Sequence, residues 1–184
     1  AICTEVRLAL GSGERMAYAT AEKEEKYRLA AATPAKLEVV DKLLDRHRGE
    51  SALVIGQYVD QLEELAEHLG APLITGATTV RERQRLYGAF RAGEVSTLVV
   101  SKVANFSIDL PGASVAVQVS GSFGSRQEEA QRLGRIVRPK EDGRQAHFYT
   151  VVTRDTVDQE FAAHRQRFLA EQGYTYDIID SGDL

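Results

Sequence analysis

Apolar positions along this chain follow two rhythms. The first is the unbroken run. Ala52-Leu53-Val54-Ile55 and Thr97-Leu98-Val99-Val100-Ser101 are apolar at nearly every position, as strands covered on both faces require. Val115, Val117 and Val119 mark a further strand, and residues 147–152 another. The second rhythm is the three- and four-residue recurrence of helices. Leu62, Leu65 and Leu69 show it within 59–69, and Leu86 and Phe90 show it in a segment opened by the capping box Thr79-x-x-Glu82. A short strand is predicted at Pro72-Leu73-Ile74-Thr75, and a last helix from about Thr156 to Gly173. Strand and helix alternate from Ser51 onward, which implies a mostly parallel sheet wound right-handed, with helices on its faces.

The first fifty residues carry weaker signals. Ile2, Thr4, Val6 and Leu8 alternate as in a short strand over 1–10. Gly11-Ser12-Gly13 reads as a turn; it is no dinucleotide fingerprint, because Met16 stands where the third glycine would be. Residues 14–32, rich in Glu, Lys and Ala, predict a solvated helix. Pro34 suits a first helical position, and Leu37, Val40 and Leu44 then give an apolar stripe up to Gly49. Residues 1–50 are thus a lead-in, either part of the same lobe or a linker from a preceding one. Residues 51–184 are the domain proper.

Composition narrows the picture. A chain of 184 residues fits one ordinary domain. Its net charge of −4 makes it no polycation, so any nucleic-acid contact must come from a local patch. The single cysteine, Cys3, rules out an internal disulfide and fits a reducing compartment. No apolar run is long enough to span a bilayer. The absence of an initial Met suggests a fragment.

The stretch that carries chemistry is Gly124 to Pro139. Ser125 and Glu128 form a capping box, and Pro139 ends the helix they open. Ala130, Leu133 and Val137 make a core stripe, while Gln131, Arg135 and Arg138 share another face. Glu128 can pair with Arg132 at i+4, but Arg135 finds Gln131 at i−4 and Pro139 at i+4. Unpaired guanidiniums suit phosphate oxygens supplied from outside. Gly134 is unfavourable inside a helix unless something approaches closely. The alternative is a solvated basic face, with Arg138 complementing the helix C-terminus.

In a parallel sheet, ligands gather at the carboxyl ends of the strands. There Gln57, Ser101-Lys102, Ser120-Gly121 and the start of the arginine helix would converge. The sequence has no G-x-x-x-x-G-K-[ST] phosphate loop and no acidic metal box. Four scattered histidines and one cysteine give no zinc spacing, so no metal ligand is assigned. His47, His68 and His164 fall on predicted helices as surface or half-buried residues. Gly121-Ser122-Phe123-Gly124-Ser125 does not match a nucleophile elbow, which disfavours a serine hydrolase. The simplest resolution is that the arginines complete a phosphate site whose other half lies on another segment, as arginine fingers do.

These residues resemble a known family. Gln131-Arg132-Leu133-Gly134-Arg135-Ile136-Val137-Arg138 is similar to motif VI of superfamily 2 helicases. Ser101-Lys102-Val103 through Ser107-Ile108-Asp109-Leu110-Pro111 resembles motif V, and Leu53-Val54-Ile55-Gly56-Gln57 sits where motif IV would. Together with Gly124 to Arg135 and the tail Arg165 to Tyr174, they resemble the XPB-type DNA-repair helicases over nearly the whole chain, most specifically from about Gly76 onward. The resemblance implies a RecA-like three-layer α/β/α domain, related to P-loop NTPases but lacking the phosphate loop. It would be the second motor lobe of a 3′–5′ DNA helicase acting in nucleotide excision repair. ATP and Mg2+ would be bound mainly by the first lobe.

By the family pattern, Arg135 and Arg138 reach the γ-phosphate, and Gln131 positions them or the attacking water. Asp109 and Gly134 border the nucleotide. Ser101, Lys102, Arg83, Gly121 and Arg126 contact DNA. One departure stands out: relatives commonly carry Gly-Asp-Thr before the serine of motif V, where this chain has Ala104-Asn105-Phe106. Implied partners are DNA, the first lobe, and a repair nuclease or transcription–repair complex, with no membrane. The implied location is the nucleoid of a prokaryote or the nucleus of a eukaryote. The alternative is a RecA-like domain that binds nucleic acid or a partner without catalysis.

Overall fold

The structure is a computed structural model that describes residues 1–101, 112–121, 134, 137 and 142–184. In chain order its elements are β1 (Ile2–Leu8), α1 (Ser12–Thr20), α2 (Lys23–Ala31), α3 (Ala35–Arg46), β2 (Ala52–Gly56), α4 (Val59–Leu69) and β3 (Leu73–Ile74). Then come α5 (Val80–Arg91), β4 (Thr97–Ser101), β5 (Val115–Gln118), β6 (His147–Thr153), α6 (Val157–Glu171) and β7 (Thr175–Asp180), followed by a 3-10 turn at Ser181–Asp183.

The strands form one seven-stranded sheet in the order β3-β4-β2-β5-β6-β1-β7, and each recorded pairing is parallel. The runs of apolar residues explain the centre of the sheet. On one face Leu53, Ile55, Leu98, Val100, Ala116 and Phe148 pack with Leu86, Tyr87 and Phe90 of α5, Leu169 of α6, and Val137. On the other face Val54, Val99, Val115, Val117, Tyr149 and Val151 pack with Val39, Val40 and Leu43 of α3 and Leu62, Leu65 and Ala66 of α4. Successive strand residues alternate between the two cores, as the pleat requires. The result is three layers, α/β/α.

Four sequence expectations are amended. The turn at Gly11-Ser12-Gly13 is the start of α1, with Gly11 as its N-cap and its carbonyl accepting from the Arg15 amide at 3.0 Å. The single helix over 14–32 is two helices that part at Ala21-Glu22. α1 buries nothing and is indeed solvated, but Ala30 and Ala31 at the end of α2 are fully buried. In α3 the buried stripe is Lys36, Val39, Val40 and Leu43, one residue out of phase with the predicted one, and Leu37 and Leu44 are only partly covered.

The fourth amendment is β7, which the periodicity missed. Asp177 and Asp180 interrupt its apolar residues, and it lies at the sheet edge, held by β1 with Ile2 opposite Thr175. β1 itself sits between β6 and β7, with Ile2 also opposite His147.

Candidate functional site

The carboxyl ends of β4, β2 and β5 lie side by side. Ser101, the last residue of β4, stands opposite Gly56, the last of β2, and Ile55 stands opposite Gln118 of β5. Ser101 is buried while Gln57, one residue beyond Gly56, is exposed. The Gln57 amide donates to Ser120 Oγ at 2.8 Å, joining the exits of β2 and β5. Gln57, Ser101, Ser120 and Gly121 therefore converge at one edge, as the topology predicted.

Two glycines make this convergence possible. A Cβ on Gly56 would stand 2.8 Å from Leu62 Cδ2 and 3.0 Å from Ser120 Oγ, so any larger residue must push Leu62 of α4 or the β5 exit back from β2. Gly121 has φ of 143°, a conformation open to glycine and strained for L side chains. There the chain turns out of the sheet.

The exit of β5 is held by side chains from three helices. Lys36 of α3, 1% exposed, donates from Nζ to Val119 O at 2.6 Å and to Asp158 Oδ2 at 2.8 Å. The same carboxylate oxygen accepts the Thr153 amide at the end of β6 at 3.0 Å. Burial pushes the Lys36 ammonium below its ordinary range, and the Asp158 charge opposes that shift. Ser120 Oγ donates to Gln61 Oε1 of α4 at 2.8 Å, and Gln61 Nε2 donates to Ala31 O at 3.1 Å. The Gly121 amide donates to Tyr27 Oη of α2 at 3.1 Å. Burial, reinforced by the Asp158 charge, pushes the Tyr27 phenol up to about 12.

α5 follows the carboxyl end of β3, so its first turn faces the same edge. The Thr79 hydroxyl accepts the Glu82 amide at 3.2 Å, which makes the predicted cap. The Glu82 carboxylate turns instead to Arg85, whose hydrogen bond holds it below its ordinary range. Arg83 beside it is half-buried, and its Nε, shielded from solvent, has no hydrogen-bond partner among the described residues.

Gly134 is helical and exposed, and a Cβ there would meet no atom of the described residues within 4 Å. Packing against the described residues therefore does not demand a glycine at this position. Val137, from the predicted core stripe, is buried and bridges Ala113. Lys102, Asp109, Arg126, Gln131, Arg135 and Arg138 lie outside the described residues. Among the described residues no cluster of His, Cys, Asp and Glu could hold a metal ion, and no helix is long and apolar enough to cross a membrane.

Sequence reasoning missed Lys36, Gln61, Asp158 and Tyr27. A signal for Lys36 was present, since it falls three and four residues before Val39 and Val40, on the apolar side of α3. Tyr27 is embedded in a charged run and gave no such signal.

A parallel three-layer fold with its polar loops at the carboxyl edge is the architecture of RecA-like helicase C-terminal domains. The C-terminal domain of the DEAD-box protein Dbp5 superposes on 99% of this chain and 92% of its own, with a TM-score of 0.73 at 16% identity. The Escherichia coli DEAD-box protein SrmB superposes on 97% of this chain and 91% of its own, with a TM-score of 0.61 at 17% identity. The family follows from sequence: residues 1–183 match the model of the ERCC3/RAD25/XPB C-terminal helicase domain, and the chain belongs to that family.

Among its relatives, the DNA 3′-5′ helicase XPB of Kineococcus radiotolerans is 68% identical over 99% of this chain. That of Mycobacterium tuberculosis is 64% identical over 99%. The XPB subunit of general transcription and DNA repair factor IIH from Drosophila melanogaster is 38% identical over 96% of this chain and 23% of its own length. The chain spans about a third, 33%, of the length of the two bacterial relatives.

Proposed function

We propose that this domain is the second motor lobe of an ATP-dependent 3′–5′ DNA helicase of nucleotide excision repair. The observation that carries this reading is the gathering of Gln57, Ser101, Ser120 and Gly121 at one sheet edge in a member of the XPB family. Mg-ATP supplies the phosphoanhydride whose hydrolysis drives the cycle, and the first lobe holds most of it. Arg135 and Arg138 cross the cleft and neutralise charge developing on the transferring phosphoryl group, and Gln131 orients them. Gly134 lets the nucleotide approach closely, consistent with the space a Cβ would have there among the described residues, and Asp109 borders the ribose.

DNA phosphates lie along Ser101, Lys102, Gly121, Arg126 and Arg83. The unpartnered Nε of Arg83 supports an anion at that point. Arginine–phosphate contacts close the cleft, hydrolysis releases them, and the two-lobed element steps along the strand. A repair nuclease or, in eukaryotes, a transcription–repair complex would direct it to damage.

The test is Arg138→Ala in the two-lobed protein. ATP affinity should be nearly unchanged and DNA-stimulated turnover should fall by far more than tenfold; a loss smaller than tenfold, about 1.4 kcal/mol, refutes the finger assignment. These 184 residues alone should show no ATP turnover and only weak, salt-sensitive DNA binding. Robust turnover by the isolated lobe would refute the half-site argument.

A further inference from the structure

Three successive residues at the exit of β5 are each held by a side chain from a different helix. Val119 O takes the Lys36 ammonium, Ser120 Oγ takes Gln61, and the Gly121 amide takes Tyr27 Oη. The Val119 amide is already satisfied by Ile55 O at 2.9 Å. All three residues are buried, so their polar groups need partners; here each partner comes from a different helix rather than from the sheet.

We infer that Lys36, Gln61 and Tyr27 are positioning residues of the motor, gripping Val119, Ser120 and Gly121 so that the chain leaves β5 in one fixed direction. This rests on the proposed function, because the segment entered beyond Gly121 carries Gln131, Arg135 and Arg138.

Stability alone is a poor account of the grip. Taking a lysine and an aspartate out of water carries a desolvation penalty that a well-packed apolar pair avoids, and such replacements are often neutral or stabilising. One neutral donor would satisfy Val119 O. An ammonium, however, ties three elements at one point: α3, the β5 exit, and, through Asp158 Oδ2 and the Thr153 amide, the join between β6 and α6. Catalytic groups need placement to within roughly 0.5 Å, which requires supporting residues that are themselves locked. Tyr27 is locked by its ring, edge-on to Phe161 at 5.3 Å and tilted against Tyr58 at 6.1 Å.

The experiment uses the two-lobed protein with Mg-ATP and duplex DNA. The double variant Lys36→Met/Asp158→Asn removes both charges together, so neither partner leaves the other buried and unpaired, and the asparagine carbonyl still accepts from Thr153. Its thermal midpoint should fall by only a few degrees, the cost of the donor lost to Val119 O. Its kcat for DNA-stimulated ATP turnover should fall at least about tenfold, with KM for ATP changed by less than about twofold. A purely structural pair would leave both parameters intact.

Tyr27→Phe keeps the ring and removes only the acceptor, so it provides a second measurement even if the double variant fails to fold. It should lower kcat by about three- to tenfold at unchanged KM. Native kcat in Tyr27→Phe, or in a stably folded double variant, overturns the inference. Arg138→Ala run alongside separates the two ideas. If it abolishes turnover while the grip variants keep it, only the grip fails. If Arg138→Ala itself retains turnover, the motor reading fails.

Discussion

Among the described residues two ion pairs have a fully covered member, and they hold different things. Lys36 and Asp158 have side chains 1% and 11% exposed; Glu5 and Arg7 have side chains 0% and 26% exposed. Glu5 lies within β1 and also accepts Tyr176 Oη at 2.7 Å, so its carboxylate stitches β1 to the edge strand β7. Lys36 reaches out of its helix to a backbone carbonyl past the end of a strand. The Glu5 pair is internal to the sheet; the Lys36 pair lies at its ligand edge. The contrast teaches that burial of charge says little about role until the atom at the far end of the bond is named.

The largest way to break the comparison is to orphan each charge. Lys36→Met alone leaves Asp158 buried and unpaired and should destabilise by about 3–5 kcal/mol in denaturant titration. Tyr176→Phe removes one donor from Glu5 and should cost only about 1–2 kcal/mol, with DNA-stimulated turnover of the two-lobed protein unchanged. A turnover loss in Tyr176→Phe would show that both pairs serve the motor and erase the contrast.

Alkaline titration sharpens the contrast at a smaller scale. Burial pushes the Cys3 thiol from 9.0 to about 11, so the unfolded chain ionises first. The associated stability is complete below pH 9 and lost as pH rises through about 11, on the order of 2 kcal/mol. Tyr27, raised from 10.0 to about 12, should act one unit higher. Cys3→Ala should flatten the loss between pH 9 and 11 and leave the higher one, read from unfolding midpoints across that range.

The mildest expected change is Gly56→Ala. Its Cβ meets the movable end of Leu62 at 2.8 Å, so the site should yield at about 1–2 kcal/mol, measured by thermal unfolding.

How much of this was legible beforehand depends on which face each residue serves. β2, β4 and β5 were readable because both of their faces are buried, and a short unbroken apolar run between turn signals suits a doubly covered strand. α1 and α2 were read as one because their junction, Ala21-Glu22, contains neither Gly nor Pro. β7 was hidden because an edge strand needs little apolar surface. The convergence of Gln57, Ser101, Ser120 and Gly121 followed from topology alone. The grip on β5 did not, because a lysine on a helix and an aspartate in a first turn ordinarily signify solvent and helix dipole. Only the phase of Lys36 with Val39 and Val40 spoke against that.

The position of β1 bears on how this lobe is made. Among the described residues β1 pairs with β6 and β7, which come more than a hundred residues later in the sequence. Those contacts close long loops, so they slow folding relative to a sheet built from sequence neighbours. During synthesis β1 must wait at the ribosome with both edges bare, while β2, β3, β4 and β5 can already pair among themselves. A nascent chain halted before residue 147 would hold half a sheet and one unmatched strand, an obvious target for chaperones.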